Sequence, residues 1–518
     1  MKKIVYKYIY YLQLLSIGAA IFYMSACQEE QMEPPVITGV INYAPSPNDT
    51  VVTTIQTGQW VVLLGQNLST VSQVNFGSIP ATINTALFAD GSLVVQLPSI
   101  PFESVPADEL NIVTAISEGG MATFNINIIG EPLITRVRNN ETSPNDTVVN
   151  VLYPGDEINI VGYSLKNATE ISFQGIAADL SKVVYTDTSA IVQVPADLSG
   201  SNALLANTIT YTTGVGSTNF SIKIIGPPVI SYISLEVPHE GDMVHLYGYN
   251  FTAIQSFTFA GTEITNYEVS ADESVLSFVS PALAQSGPVE ITTLAGSFTT
   301  VFNVNEIALI NSGGVGILAN MEWGDYFGWG WGNGDVNLYA SDPNSDWPSY
   351  NTDYGVGYGL YLVYKSTPLE AGEDGYLDGW GGNQILINDG GGQWVPTENL
   401  DDSGDNWALK FELNVAKPWS GGTLCFRTAN ASNYIARYEP WKVSTSKTTP
   451  VTTDGWQTVT IPLSSFRLED GNDDSISKVS DIVGGSGKTY FRIYLHNYRT
   501  STTDNFEAAF DNFRVTRR

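Results

Sequence analysis

Val62-Leu63-Leu64-Gly65-Gln66-Asn67-Leu68 returns twice in altered form, as Ile160-Val161-Gly162-Tyr163-Ser164-Leu165 and as Leu246-Tyr247-Gly248-Tyr249-Asn250-Phe251. Each is a short apolar run that meets a glycine and a polar loop, the pattern of a strand ending at a turn. The surroundings repeat with it, at a period of about 96 residues. Pro35-Val36-Ile37, Pro132-Leu133-Ile134 and Pro228-Val229-Ile230 open the copies, and apolar hairpins with Phe76-Gly77, Phe173-Gln174-Gly175 and Phe259-Ala260-Gly261 follow the loop. Later strands end near Pro98, Pro195 and Pro281. The first two copies share the turns Ser46-Pro47-Asn48-Asp49-Thr50 and Ser143-Pro144-Asn145-Asp146-Thr147, and they close with Ile128-Ile129-Gly130 and Ile224-Ile225-Gly226. The third copy is shorter and lacks the turn.

Short alternating runs punctuated this densely predict an all-β chain. The expected order is three tandem Ig-like sandwiches over 35–130, 131–226 and 227–305, then a C-terminal β-sandwich or jelly-roll domain over 306–518. The succession of glycine, polar loop and apolar hairpin resembles the IPT/TIG family of Ig-like domains. Proline at each junction restricts bending, so the array reads as a semi-rigid stalk. Of eleven tryptophans only Trp60 lies in it, in the strand Gln59-Trp60-Val61-Val62, where burial is the ordinary expectation. Asp49-Thr50-Val51 and Asp146-Thr147-Val148 resemble a bacterial O-glycosylation sequon and read equally well as plain turns.

At 518 residues the chain has room for about three to five domains. Lys plus Arg total 23 against Asp plus Glu 53, a formal charge of -30, which disfavours nucleic acid and anionic bilayers as partners. A neutral or cationic partner fits better.

Lys2, Lys3 and Lys7 precede an apolar stretch from Ile9 to Met24 that ends in Met24-Ser25-Ala26-Cys27. This resembles a bacterial lipobox, which implies removal of residues 1–26, acylation of Cys27 and a lipidated tether over 27–34. A transmembrane helix is the competing reading, but the stretch is short and stops at a cysteine. Gln28-Glu29-Glu30 is similar to the signal that sends Bacteroidetes lipoproteins to the outside of the outer membrane, which implies a lipid-anchored, extracellular-facing location. Cys425, flanked by Thr423, Leu424 and Phe426, reads as a buried strand thiol.

From about Glu306 the composition changes, and ten of the eleven tryptophans follow. Some belong to a core: Trp407 to Val415 alternates with period two and puts Trp407, Phe411 and Val415 on one face. Gly455 to Leu463 and Phe510 to Val515 alternate likewise and look like strands of carbohydrate-binding jelly rolls, so Trp456, Phe510 and Phe513 go to the core as well. The other aromatics sit among glycines and polar residues: Trp323, Trp329, Trp331, Trp347, Tyr350, Tyr354, Trp380 and Trp394. A pyranose stacks its C–H face on such rings while Asp, Asn and Gln at the rim bond its hydroxyls. These eight are the candidate glycan-binding residues.

Lipobox, acidic tether, tandem IPT/TIG-like domains and aromatic terminus together resemble the surface glycan-binding lipoproteins of Bacteroidetes polysaccharide utilisation loci, the xyloglucan-binding type in particular. The resemblance implies non-catalytic capture of a β-glucan, such as xyloglucan or mixed-linkage glucan, with no cofactor. It also implies work beside a TonB-dependent transporter and its SusD-like lipoprotein. The alternative is a surface adhesin that recognises a host protein or glycan. Glu322, Asp325 and Asp335 could in principle supply a glycosidase's carboxylate pair, but sugar rims need carboxylates too, and His239, His245 and His496 form no metal or triad pattern. The chain is read as a non-enzyme without a metal. Asp504, Asn505, Glu507 and Asp511 could fix a calcium, and are read instead as an ordinary solvated acidic loop.

Overall fold

A computed structural model describes residues 32–186, 188–198, 207–306, 314–321, 336–340 (backbone only), 353–355, 358–373, 384–388, 392–428, 433–445, 447–469 and 474–518. Strands dominate, as three Ig-like sandwiches and a larger C-terminal sandwich. In the first, one sheet runs in the order Val36–Asn42, Trp60–Gln66, Ser92–Gln96, Thr82–Ala89 and faces Ile79–Pro80, Val71–Phe76, Ile112–Ser117, Gly120–Asn125. The second and third repeat that order, beginning at Leu133–Asn139 and Val229–Ile233.

The recurring glycine has a steric cause. A Cβ on Gly65, Gly162 or Gly248 would stand 1.8 Å from the carbonyl oxygen of Val36, Leu133 or Val229, so the opening strand can only pass if the side chain is absent. The polar loop that follows ties down the opening proline segment. Asn67 and Asn250, both left-handed, donate from Nδ2 to Pro34 O and Pro227 O at 3.0 Å.

The chain divides near residue 225 into two compact units. Within the first, Phe102 of the first sandwich stacks on Tyr163 of the second at 5.8 Å, and Gly130 N–H donates to Ser164 Oγ at 3.1 Å. Asp49-Thr50-Val51 is exposed, and Val148 is exposed in the equivalent turn of the second.

The second unit holds the third sandwich and the C-terminal domain. Strands of the latter, numbered in chain order, are β1 (Ile317–Ala319), β2 (Val336–Ala340), β3 (Leu360–Ser366), β4 (Gln384–Ile387), β5 (Trp407–Asn414), β6 (Thr423–Thr428), β7 (Tyr434–Tyr438), β8 (Gln457–Pro462), β9 (Arg467–Leu468), β10 (Phe491–His496) and β11 (Phe506–Arg517). One sheet runs β2-β3-β11-β5-β8, with β1 also on β11; the other runs β4-β10-β6-β7-β9. Phe411, Phe426, Phe491, Phe510 and Phe513 fill the space between them. Phe510 and Phe513 are three apart yet share that core. A β-bulge, with Asn512 left-handed at φ 56°, resets the alternation between them.

Trp407, Phe411 and Val415 lie in the core as the alternation predicts. The other face of the sheet is also covered, by the third Ig-like sandwich. Tyr232 to Glu236 run along the edge strand β8: Thr458 N–H donates to Ser234 O at 2.8 Å, and Tyr232 Oη donates to Thr458 O at 3.0 Å. Glu236 then enters a buried ion network, accepting from Lys410 Nζ at 2.7 Å and from Arg514 Nη2 at 3.0 Å. Arg514 also donates to both oxygens of Glu412, at 2.8 and 3.0 Å, and Thr458 Oγ1 donates to Glu412 at 2.8 Å. Burial pushes the Lys410 ammonium below its usual range and the Glu412 carboxyl above its own. Arg514 stays cationic: desolvation opposes its charge, but Glu412 and Glu236 outweigh it. Trp456 is buried here, in the apolar cluster that joins Phe257 and Phe278 of the third sandwich to Tyr354, Tyr361 and Val363, rather than between the two sheets.

Candidate functional site

Trp323, Trp329, Trp331, Trp347, Tyr350 and Trp380 lie outside the described residues, as do Cys27 and the carboxylates Glu322, Asp325 and Asp335. By chain order, Trp323, Trp329 and Trp331 fall between β1 and β2, and Trp347 and Tyr350 between β2 and β3. Trp380 precedes β4, an edge strand of the five-stranded sheet.

The remaining two candidates are corrected. Trp394 is 0% exposed: its indole donates to Thr489 O at 2.8 Å and its ring meets Phe491 edge-on. Tyr354 is 2% exposed, with its hydroxyl donating to Glu507 Oε1 at 2.8 Å and its ring against Tyr361. Neither can present a face to a sugar. Glycine-rich neighbours leave a ring uncovered only if nothing else packs on it, and here the sheet and the third sandwich do. Trp407, Trp419, Trp441 and Trp456 are interior too, so every described tryptophan of this domain is structural.

The acidic loop is not simply solvated. Desolvation works to raise the Glu507 carboxyl, but the hydrogen bonds from Lys417 and Tyr354, with Lys365 nearby, hold it below its usual range. Asp511 is buried, and Ser420 Oγ donates to Asp504. Among the described residues no group of three carboxylate, imidazole or thiol side chains could hold a metal ion. Cys425 is a buried free cysteine in β6, as expected from its flanks.

A concavity lies on the outer face of the five-stranded sheet. Residues paired across a sheet share a face, and the register sets out two rows. Leu386, Arg492, Arg427, Ile435 and Arg467 form one; Gln384, Tyr494, Cys425 and Arg437 form the next. Where they approach β9, an open cleft of about 160 Å³ is lined by Ile435, Arg437, Arg467, Leu468, Glu469 and Tyr498, with Ser465. Arg437 lies 4.4 Å over the Tyr498 ring, which also stacks on His496 at 3.7 Å. Arg427 pairs with Glu469, and Arg467 Nη1 donates to Phe466 O at 3.0 Å. Burial, with Cys425 beside it, raises the Tyr498 phenol well above its usual range, so it remains a neutral hydroxyl that can donate and accept. An aromatic ring, an apolar floor and fixed guanidinium groups together suit a small polar ring. None of the lining residues stood out in the sequence, because they come from three separate stretches of chain.

Residues 310–517 match the family model of the surface glycan-binding protein B xyloglucan binding domain. Over its whole length the chain is 24% identical to an IPT/TIG domain-containing protein of Bacteroides ovatus, covering 100% of both. A crystal structure determined with a xylogluco-oligosaccharide superposes with a TM-score of 0.55 at 20% identity, covering 93% of this chain and 99% of that one. The surface glycan-binding protein B from a complex xyloglucan utilization locus in Bacteroides uniformis is 22% identical over 75% of this chain and 99% of its own, with a TM-score of 0.39. The resemblance read from the sequence, to IPT/TIG-domain surface glycan-binding proteins, is therefore borne out, and the family match falls on the C-terminal domain.

Proposed function

We propose that the protein is a non-catalytic, cell-surface receptor for a plant β-glucan, xyloglucan or mixed-linkage glucan, which its C-terminal domain captures. The observation that carries this is the match of residues 310–517 to a xyloglucan-binding domain family. The relative solved with a xylogluco-oligosaccharide is consistent with it through the shared fold. In this reading Trp323, Trp329, Trp331, Trp347, Tyr350 and Trp380 supply the stacking rings. Cys27 is acylated and holds the chain on the outside of the outer membrane, the Ig-like domains serve as a stalk, and bound polysaccharide passes to a TonB-dependent transporter with a SusD-like lipoprotein. A charge of -30 favours a neutral glycan over a polyanion.

The test is affinity electrophoresis of the acyl-free chain from Gln28, in native gels containing xyloglucan, mixed-linkage β-glucan, laminarin, mannan or xylan. Retardation by xyloglucan or mixed-linkage glucan, weakened by Trp→Ala at positions 323, 329, 331, 347 or 380, is the expected result. Stacking of this kind contributes about 0.5–1.5 kcal/mol per ring beyond area burial, so single variants should lose about two- to tenfold. No retardation by any polysaccharide would turn the argument to an adhesin. Palmitate labelling that is lost in Cys27→Ala tests the anchor.

A further inference from the structure

One outer face of the third Ig-like sandwich differs from its counterparts in the first two. Its sheet runs in the order Val229–Ile233, Met243–Tyr249, Val275–Val279, Tyr267–Val269. Val244, Leu246, Leu276 and Phe278 point inward and are buried, which turns Met243, His245 and Tyr247 outward with Val279 and Ser277 beside them. Tyr232 stands opposite Tyr247, and the two rings lie 5.7 Å apart at 30°. Tyr232 is 41% exposed and Tyr247 40%. The register puts Gly39 and Leu64 at the same two places in the first sandwich, and Arg136 and Val161 in the second. The fold therefore does not require rings there. A cross-strand aromatic pair adds to sheet stability wherever it stands. Stability of the pair leaves unexplained why Met243 and Val279, also directly opposite one another, continue the same face as exposed apolar side chains.

The chemistry of the face indicates its partner. Its four strands carry one carboxylate, Glu268, and no lysine or arginine, in a chain whose net charge is -30. A neutral partner suits such a surface. Nor is the face simply apolar, because His245 Nδ1 and Ser277 Oγ share a hydrogen bond of 2.7 Å between the tyrosine pair and the Met243–Val279 pair. Rings with an imidazole and a hydroxyl set beside them match a pyranose, whose C–H face stacks and whose hydroxyls bond the polar neighbours. The face is also continuous with the junction to the C-terminal domain. Tyr232 Oη donates to Thr458 O on the edge strand β8, and the buried network of Glu236, Lys410 and Arg514 fixes that junction.

We propose that Tyr232 and Tyr247 form a second glycan subsite, on the third Ig-like domain, for an uncharged stretch of the polysaccharide that the C-terminal domain captures. The inference rests on the glycan-binding reading above and extends it to a second place on the chain. Once the C-terminal domain holds a polymer, stacking of another stretch on the tyrosines is intramolecular, so long chains gain affinity that short oligosaccharides do not.

The experiment compares polymer with oligosaccharide on the full acyl-free chain. Retardation is measured in gels of xyloglucan and of mixed-linkage β-glucan, and short oligosaccharides cut from the same polymers are titrated by calorimetry. Tyr247→Val installs the residue that the second sandwich carries at this place, and Tyr247→Leu that of the first, so each variant keeps a side chain this fold already accommodates. Both should weaken polymer binding about two- to tenfold while oligosaccharide affinity and melting temperature stay unchanged. Tyr232→Phe keeps the ring and should bind polymer as the parent does. Polymer retardation that is unchanged in both Tyr247 variants overturns the assignment. So does an equal loss of oligosaccharide binding, which would place the effect in the C-terminal domain. A parent dimer in sedimentation that Tyr247→Val dissociates would give the face to a second copy and overturn it as well. If the parent is retarded and the variants match it, this inference alone fails. If no polymer retards the parent, the glycan-capture reading fails with it.

Discussion

Replacing Glu236 by alanine should loosen the C-terminal domain although the residue belongs to the third Ig-like domain. Its carboxylate accepts from Lys410 at 2.7 Å and from Arg514 at 3.0 Å, both almost wholly buried. Arg514 would keep its two bonds to Glu412, so the loss falls mainly on Lys410, which would face the Phe302 ring at 3.5 Å with its charge poorly balanced. Breaking a buried pair from one side costs about 3–5 kcal/mol. With a urea slope of about 3 kcal/mol/M, the unfolding midpoint should fall by about 1–1.7 M. Tryptophan fluorescence is the assay, because ten of the eleven tryptophans lie in the C-terminal domain and report its unfolding directly. The double change Glu236→Leu with Lys410→Met removes both charges and should recover most of the loss, since a buried ion pair gains little over apolar packing. A midpoint shifted by less than about 0.2 M in Glu236→Ala would refute the argument that the two domains share one polar core. On the same reasoning, a fragment starting at 306 should be far less stable than one starting at 227.

Trp394→Phe should destabilise by about 1–3 kcal/mol, since Thr489 O loses the indole donor, while Asn388 Nδ2 still bonds it at 2.8 Å. It should leave polysaccharide retardation unchanged below the unfolding range; a selective loss of retardation in a stably folded variant would return Trp394 to the ligand surface. His239 should make stability fall in mild acid. Burial, partly opposed by Asp242, holds its folded pKa below 6.5, so the unfolded chain takes the proton first. Stability present above that value is lost as the pH falls through it toward the folded pKa. Melting curves at about pH 7.5 and about pH 5.5 should show a smaller drop in His239→Gln than in the parent; an identical drop would sink the assignment.

The sequence alone determined the repeats, the all-β class and much of the C-terminal core, because period-two alternation and recurring glycines are local signals. Gly65, Gly162 and Gly248 were visible as punctuation, and Trp407, Phe411 and Val415 as one buried face. Tertiary structure decided what covers the other face. Lys410, Glu412 and Asn414 alternate as solvent-facing residues would, and buried partners satisfy the groups that water would: Glu236 of the third sandwich for Lys410, and Arg514, Thr458, Thr453 and Tyr354 of the same domain for the other two. Alternation cannot tell the two apart. The shared burial of Phe510 and Phe513 depended on a bulge that pattern reading does not register. Trp394 and Tyr354 read as exposed because glycine surrounds them, yet whether a ring is covered depends on what packs over it from elsewhere in the chain. The Arg437–Tyr498 cleft is the same case in reverse: its residues are ordinary in their own segments, and only the assembly of β7, β9 and β10 into one sheet brings them together.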